Sequence, residues 1–534
     1  MKACLLYRDR DFDLDRTLTS REIALAQDLG LDPIIAAMAG DDEFLSDVAR
    51  KVLLTSVGDV EGVEYRQAIL ADCLRRPQTI RDLYRLTVEA ATNERRARGL
   101  WFGRYPTTIL HSSVNLLQAA MGDLRALRAL VDEYGATFRS EGLTRFCAMI
   151  RSELDDSYFH RLERHLRTLR FRNGLLVSAS LGLGLKGDQY TVCEEPPDKR
   201  GWLERLFGPK PLSFTYTLHP RDEAGARALS QLNDQGLNLV ANALAQSADH
   251  IVSFFQMLQR ELAFYVACLN LHDRLKTLGA PVCFPGVSAH GSGDLSATDL
   301  RDAGLALVIL DAVVGNDLAA DGKILVVITG ANRGGKSTFL RSLGQALVMT
   351  QAGMFVVAGS FRSQLHDRIF THYKREEDKN LDSGKLDEEL KRMSELVDEM
   401  TGRSVILFNE SFAATNEREG SEIACQIADA LGEKGVRSIF VTHLYQFAHR
   451  MYAKAGRAAL FLRADRSDDG TRSFRIVPGE PLETSYGQDL FDRIFPDAGA
   501  LSQPPDGSPD DARMTLAEAR LPPSATGAAL DMRN

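Results

Sequence analysis

ILVVITGANRGGKST, residues 324–338, sets a run of aliphatic residues directly against a glycine-rich turn and a Lys-Ser-Thr triplet. The apolar run reads as a buried strand, and the segment opening at Lys336 reads as a helix. Gly330 to Ser337 satisfies GxxxxGK[ST] in the strand, loop, helix order on which the motif's mechanism depends. Gly330, Gly334 and Gly335 are expected to let the backbone curl, so that its N–H groups aim at phosphate oxygens with help from the helix N-terminal dipole. Lys336 would reach the β- and γ-phosphates of ATP, and Ser337 would offer its hydroxyl to Mg2+. The expected cradle is Gly330, Ala331, Asn332, Arg333, Gly334, Gly335, Lys336, Ser337 and Thr338.

Around that loop, after Pro281, short β-rich runs (324–328, 354–357, 405–408, 438–441 and 459–462) alternate with helical ones. Such alternation predicts a largely parallel sheet with crossover helices. The run at 405–408 ends in Asn409 and Glu410, within ILFNESFAAT. At that place a nucleotide-hydrolysing site commonly offers Asp to organise the metal's waters, followed in one large class by Glu as the base that orients water. Glu410 suits the second role. Asn409 carries no charge and can only hydrogen-bond the waters of Mg2+, so the site either works with one carboxylate fewer or is a slow switch. His443, in SIFVTHLYQ, follows another apolar strand and reads either as a sensor of the γ-phosphate or as a satisfied residue at a strand end. Ser383 and Gly384, in LDSGKLDEEL, open a helix. ATPases of the ABC type present backbone donors to the opposite subunit's γ-phosphate from such a helix N-terminus.

Residues 20–278 read as mainly helical, with apolar residues at steps of three and four. From Leu237 to Leu269 the spacing predicts a helix of about nine turns, on the order of 45 Å long. It is either an ordinary bundle helix or an extended lever. Residues 171–220 break the pattern with alternating β-formers, glycines and prolines, which predicts a small β insertion. Arg161, Arg164, Arg167, Arg170 and Arg172 precede or enter it, and Lys186, Lys199, Arg200, Arg205 and Lys210 lie within it. These charges form either a solvated face or a tip that contacts nucleic-acid phosphates.

Length and composition bound the rest. A chain of 534 residues, 44% hydrophobic, holds more than one core. Neither a membrane span nor a secretory signal is evident, so a soluble, cytoplasmic protein is expected. Seven scattered cysteines, none spaced as CxxC, support neither a disulfide frame nor a zinc site. The net charge of −9 argues against general nucleic-acid affinity but allows a local basic surface. The tail, 496–534, is rich in Pro, Gly, Ser and Asp and is expected to be disordered.

ITGANRGGKSTFLRSLGQALVMTQAGMFV resembles the corresponding stretch of the MutS family of DNA mismatch-repair ATPases, and DRIFTHY, FNESFAATNEREG, FVTHLYQF and SYGQDL follow in that family's order. Upstream, VEYRQAILADCLRRPQTIRDL resembles the start of its core and lever domain. The resemblance implies a homodimer in which each ATPase domain completes the other's site and lever helices lead to a DNA-encircling clamp. It makes Asn332, Gly335, Lys336 and Ser337 ligands of phosphate and metal, Glu410 the base and His443 the sensor. Ser383, Gly384, Thr415 and Asn416 become contacts to the partner's nucleotide, and the basic residues from Arg164 to Arg200 become contacts to the DNA backbone. The chain departs from the family at Asn409, at the Ser-Thr-Phe signature near residues 384–386, and at an adenine-packing aromatic near Val313. No Phe-x-Glu wedge, which would unstack bases, precedes residue 300, and a mismatch-reading domain ahead of the core domain is not expected.

The expected architecture is multidomain. An N-terminal segment (1–57) precedes an α-helical core and lever domain (58–280) with a small clamp-like β insertion, then an α/β P-loop ATPase domain of ABC type (281–495) and the tail. The expected function is an ATP-switched dimeric DNA clamp acting in mismatch repair or recombination on mismatched or branched double-stranded DNA, alongside repair-protein partners. The alternative is a nucleotide-gated protein-interaction scaffold that hydrolyses ATP slowly or not at all.

Overall fold

The computed structural model describes residues 1–98, 105–171, 175–185, 187–193, 217–219, 221–374, 384–466 and 472–482. The chain divides into a unit Met1–Ser485 and a unit Tyr486–Asn534; the second, with the tail expected to be disordered, lies outside the described residues. The first unit is helical in its N-terminal half and mixed α/β in its C-terminal half.

Strands β1 (Val177–Leu181) and β2 (Gly187–Val192) form an antiparallel hairpin within the region of the expected insertion. Strands β3 (Gly286–Ser288), β4 (Leu295–Leu300), β5 (Asn316–Ala319) and β7 (Ser360–Gln364) make a mixed sheet ordered β3-β7-β4-β5. The larger sheet contains β6 (Leu325–Thr329), β8 (Ile369–Tyr373), β9 (Val405–Asn409), β10 (Arg437–Val441), β11 (Ala459–Arg466) and β12 (Arg472–Pro478), ordered β12-β11-β6-β10-β9-β8. Within it β11, β6, β10, β9 and β8 are parallel, and only β12 runs antiparallel. Every residue of β6 and β10 is buried, as strands covered on both faces must be.

Two sequence expectations change. No strand forms at 354–357; Val356 makes an isolated bridge to Cys283, and the strand of this region is β7. Met354, Phe355, Val356 and Val357 are nonetheless buried in the main core, and periodicity alone cannot tell a buried apolar link from a strand. The long helix runs from Glu223 to Thr277, 55 residues, which is roughly 80 Å and far more than expected. Its buried residues begin only at Gly236. The first turns leave Leu229 and Leu232 exposed, so no apolar stripe marks them.

The N-terminal segment is tied into this frame by buried polar groups. Glu261, on the long helix, accepts the N–H groups of Leu5 at 2.6 Å and Phe12 at 3.3 Å. Tyr265, one turn on, donates to the Leu5 carbonyl at 2.6 Å. The fully buried Arg66 donates to Leu6 at 2.6 Å and to the Ala352 carbonyl at 3.1 Å. One hydrophobic cluster runs through Leu5, Leu6, Ile69, Leu262, Phe264, Phe339 and Phe355. The segment, the helical region and the helix after the glycine loop therefore share a core.

Candidate nucleotide-binding site

Parallel pairing of β6 with β10 and of β10 with β9 brings three strand ends side by side. The glycine loop leaves β6 at Gly330, Glu410 follows β9, and His443 lies two residues beyond β10. The loop takes left-handed backbone at Gly330 (φ 111°), Arg333 (φ 58°) and Gly335 (φ 89°). Gly334 is required for space instead of for curling: a Cβ there would stand 2.7 Å from the Ala464 Cβ. The helix Lys336–Gln351 starts from Gly335 with no side-chain cap, leaving its first N–H groups for another acceptor.

Lys336 is buried, and its Nζ donates to the carbonyls of Gly330 at 3.0 Å and Ala331 at 2.9 Å. Burial pushes its pKa down to about 8, opposed by the charge of Glu410 and assisted by that of Arg472. The Ser337 hydroxyl donates to the Asn409 amide oxygen at 2.9 Å, so the two neutral groups expected to serve a metal sit together. Glu410 has left-handed backbone (φ 55°), with its N–H held by the Val441 carbonyl at 2.8 Å. Its carboxylate lies 3.2 Å from Nε2 of His443. That hydrogen bond holds the carboxyl below its ordinary pKa against the opposing effect of burial, and the charges of His443 and Lys336 add to it.

Family models match residues 58–278 to the MutS2 N-terminal domain and residues 326–494 to MutS domain V. This chain is a member of the MutS family. The endonuclease MutS2 of Thermus thermophilus is 32% identical over 137 residues, which cover 26% of this chain and 18% of that protein. The endonuclease MutS2 of Lacticaseibacillus casei is 33% identical over 146 residues, covering 27% and 19%. The DNA mismatch repair protein MutS of Thermosipho melanesiensis is 25% identical over 245 residues, covering 44% and 30%. The matched part of the chain thus spans less than a third of each of these relatives.

The other expected residues of this MutS family member make local contacts. Gly384 caps the helix Lys385–Glu399 and is exposed, whereas Ser383 lies outside the described residues. Asn416 caps the helix Glu417–Lys434 by accepting the Glu419 N–H at 3.0 Å, and the Thr415 hydroxyl binds the Glu419 carboxylate. Both side chains are thus engaged within their own subunit. Arg164, Arg167 and Arg170 are exposed along the helix Asp156–Thr168 and its end. Arg167 pairs with Glu163 at 3.3 Å and Arg170 with Gln118 at 2.7 Å. Arg172, Lys186, Lys199 and Arg200 lie outside the described residues.

Sequence reasoning missed Phe474. This aromatic on β12 is 47% exposed with left-handed backbone (φ 56°), and its main chain packs beside Gly335. Asn316 fixes it, donating to the Phe474 carbonyl at 3.3 Å and accepting the Ile476 N–H at 2.6 Å. No sequence signal marked it, since an aromatic in a β-rich run reads as an ordinary strand residue. Among the described residues no helix is long and apolar enough to cross a membrane.

Proposed function

We propose that this MutS family member is an ATPase that acts as a homodimeric clamp on mismatched or branched double-stranded DNA, in repair or recombination within the cytoplasm. The observation that carries the reading is the convergence of Lys336, the Ser337–Asn409 pair and the Glu410–His443 pair on the ends of three adjacent strands. The residues suit a triphosphate. The loop offers uncapped N–H groups and a buried cation, and Gly330 and Gly335 adopt backbone that other residues rarely take. They also suit Mg2+, because Ser337 and Asn409 are oxygen donors placed together, and a cation with few protein ligands binds by way of its waters and the phosphates. Mg2+ would neutralise phosphate charge there.

Lys336 would leave the Gly330 and Ala331 carbonyls for the β- and γ-phosphate oxygens. Glu410 would orient a water and take its proton as the water oxygen bonds to the γ-phosphorus and the bond to ADP breaks. His443 keeps the Glu410 carboxylate ionised and aimed. Phe474, exposed and beside Gly335, would offer its ring to the base. We read residues 58–280 as the lever and clamp unit and 281–495 as the ATPase domain. Ser383, Gly384, Thr415 and Asn416 would serve the partner's nucleotide, and Arg164, Arg167 and Arg170 the DNA phosphates. Coupling requires that ATP and DNA favour different arrangements of the arms.

One observation favours a second reading, a nucleotide-gated scaffold for protein partners. Asn409 brings no charge to the metal position, and its oxygen is already engaged by Ser337. ATPase rates with homoduplex, mismatched duplex, four-way junction and no DNA separate the two. Turnover that responds to one of the DNAs is expected; a negligible rate indifferent to all of them would leave the scaffold.

A further inference from the structure

We infer that Glu389 is a positioning residue for hydrolysis, joining the helix Lys385–Glu399 to the turn that presents Glu410. The inference rests on the reading of Glu410 as the base. Glu389 is 8% exposed, and its Oε2 accepts the N–H of Phe412 at 2.9 Å, two residues beyond Glu410. Its own main-chain carbonyl faces Nε2 of His372 at 3.1 Å. The other ring nitrogen lies 2.8 Å from the Ser411 hydroxyl, and the His372 ring stacks on Phe412 at 5.2 Å and 19°. A carbonyl only accepts, so Nε2 carries the proton; the Ser411 hydroxyl donates to the His372 main-chain carbonyl and lies within reach of Nδ1. Glu389 thereby holds the Phe412 main chain, and His372 holds Ser411 and the Phe412 ring.

The turn needs that grip. Glu410 and Phe412 both hold left-handed backbone, at φ 55° and 63°, which side-chain-bearing residues adopt only when their surroundings impose it. Phe412 itself is fully buried. Gly384, the exposed cap of the same helix, lies about 7 Å along the axis from Glu389 at ~1.5 Å per residue. A small movement of this helix would therefore pull on the Phe412 N–H and re-aim the Glu410 carboxylate without any contact between Glu389 and nucleotide.

The test compares steady-state ATPase rates and binding of a fluorescent ATP analogue for wild type, E410Q, E389A and E389Q, with melting temperatures recorded for each. E389A is expected to lower kcat by about tenfold while analogue affinity stays within about twofold, the split expected of an interaction needed in the transition state. E389Q keeps an acceptor oxygen for Phe412 and is expected to restore kcat to within about threefold of wild type. Wild-type kcat in E389A overturns the inference, as does equal loss of affinity and kcat or an E389Q as impaired as E389A. Should E389A not fold, E389D takes its place, with the acceptor drawn back by one methylene and the same split expected. Undiminished turnover in E410Q overturns the base assignment, and the inference with it; that result is read in E410Q alone.

Discussion

Oε1 of Glu410 lies 3.2 Å from Nε2 of His443, across the ends of two neighbouring parallel strands. The contact keeps the carboxyl below its ordinary pKa although the group is half-buried. A depressed carboxylate pKa means that this stabilisation is complete above the unfolded value of ~4.3 and is lost only as pH falls through the folded one. Glu410 is then ready to accept a proton throughout the neutral range. E410Q is expected to cut turnover by at least about 100-fold with ATP still bound, and H443A by about tenfold. Single-turnover rates and a filter-binding assay check both.

Lys336 carries the opposite consequence for pH. Burial pushes its pKa down to about 8 from 10.5, so in the free protein it loses its proton as pH rises through about 8. Bound phosphate favours the charged form and raises that pKa. ATP affinity is therefore expected to be level below pH 8 and to fall above it, by up to about tenfold per pH unit until the pKa of the complex is passed. K336R, which stays charged, should flatten that limb even if its affinity is lower. Calorimetric titration of ATP at several pH values measures the slope.

At Asn409 the missing charge can be supplied. N409D places a carboxylate within reach of the Ser337 hydroxyl, which donates to Asn409 at 2.9 Å. A carboxylate attracts Mg2+ by about a kcal/mol or more where solvent screening is partial. The half-saturating Mg2+ concentration for ATPase activity should fall by about three- to tenfold, with kcat unchanged or higher. An Mg2+ titration with no shift would show that this position does not serve the metal.

Gly334 is expected to tolerate no side chain. Its added Cβ would meet the Cβ of Ala464 at 2.7 Å and the Ala331 carbonyl oxygen at 3.0 Å. G334A should cost about 1–3 kcal/mol, as overpacking does. The double variant G334A/A464G should recover part of that loss, because it removes the closer of the two clashes. Urea unfolding of the wild type and the two variants decides it.

Glu261 predicts a pH dependence of stability. Burial pushes its pKa up to about 7, against the N–H groups of Leu5 and Phe12 that favour the carboxylate. With a folded pKa above the unfolded value of ~4.3, the folded protein holds the proton longer, and stability falls as pH rises through that window, by at most about 1.4 kcal/mol per unit. Above about pH 7 it levels off. E261Q should abolish this component of the slope, read from melting temperatures between pH 4.5 and 8.

The strand before Gly330 and the uncapped helix from Lys336 were legible because both are local. An apolar run, a turn that needs left-handed glycines and a helix start are written into adjacent residues. Glu410 and His443 were legible one at a time, each as a polar residue at the end of an apolar strand. The first turns of the long helix were not, because their leucines face solvent and leave no stripe. The buried link at 354–357 imitated a strand because burial on all sides erases periodicity.

What the sequence by itself determined is the local chemistry: a loop built to curl around phosphate, a carboxylate after a buried strand, and an amide where charge is usual. What only the tertiary structure decided is which of these groups meet. Ser337 finds Asn409 across 72 residues, Gly334 is constrained by Ala464, Phe474 arrives beside Gly335, and Glu389 reaches Phe412. Strand order and helix placement bring these partners together, and both follow from burying one shared core. A linear pattern states which faces are apolar but not which face each will cover.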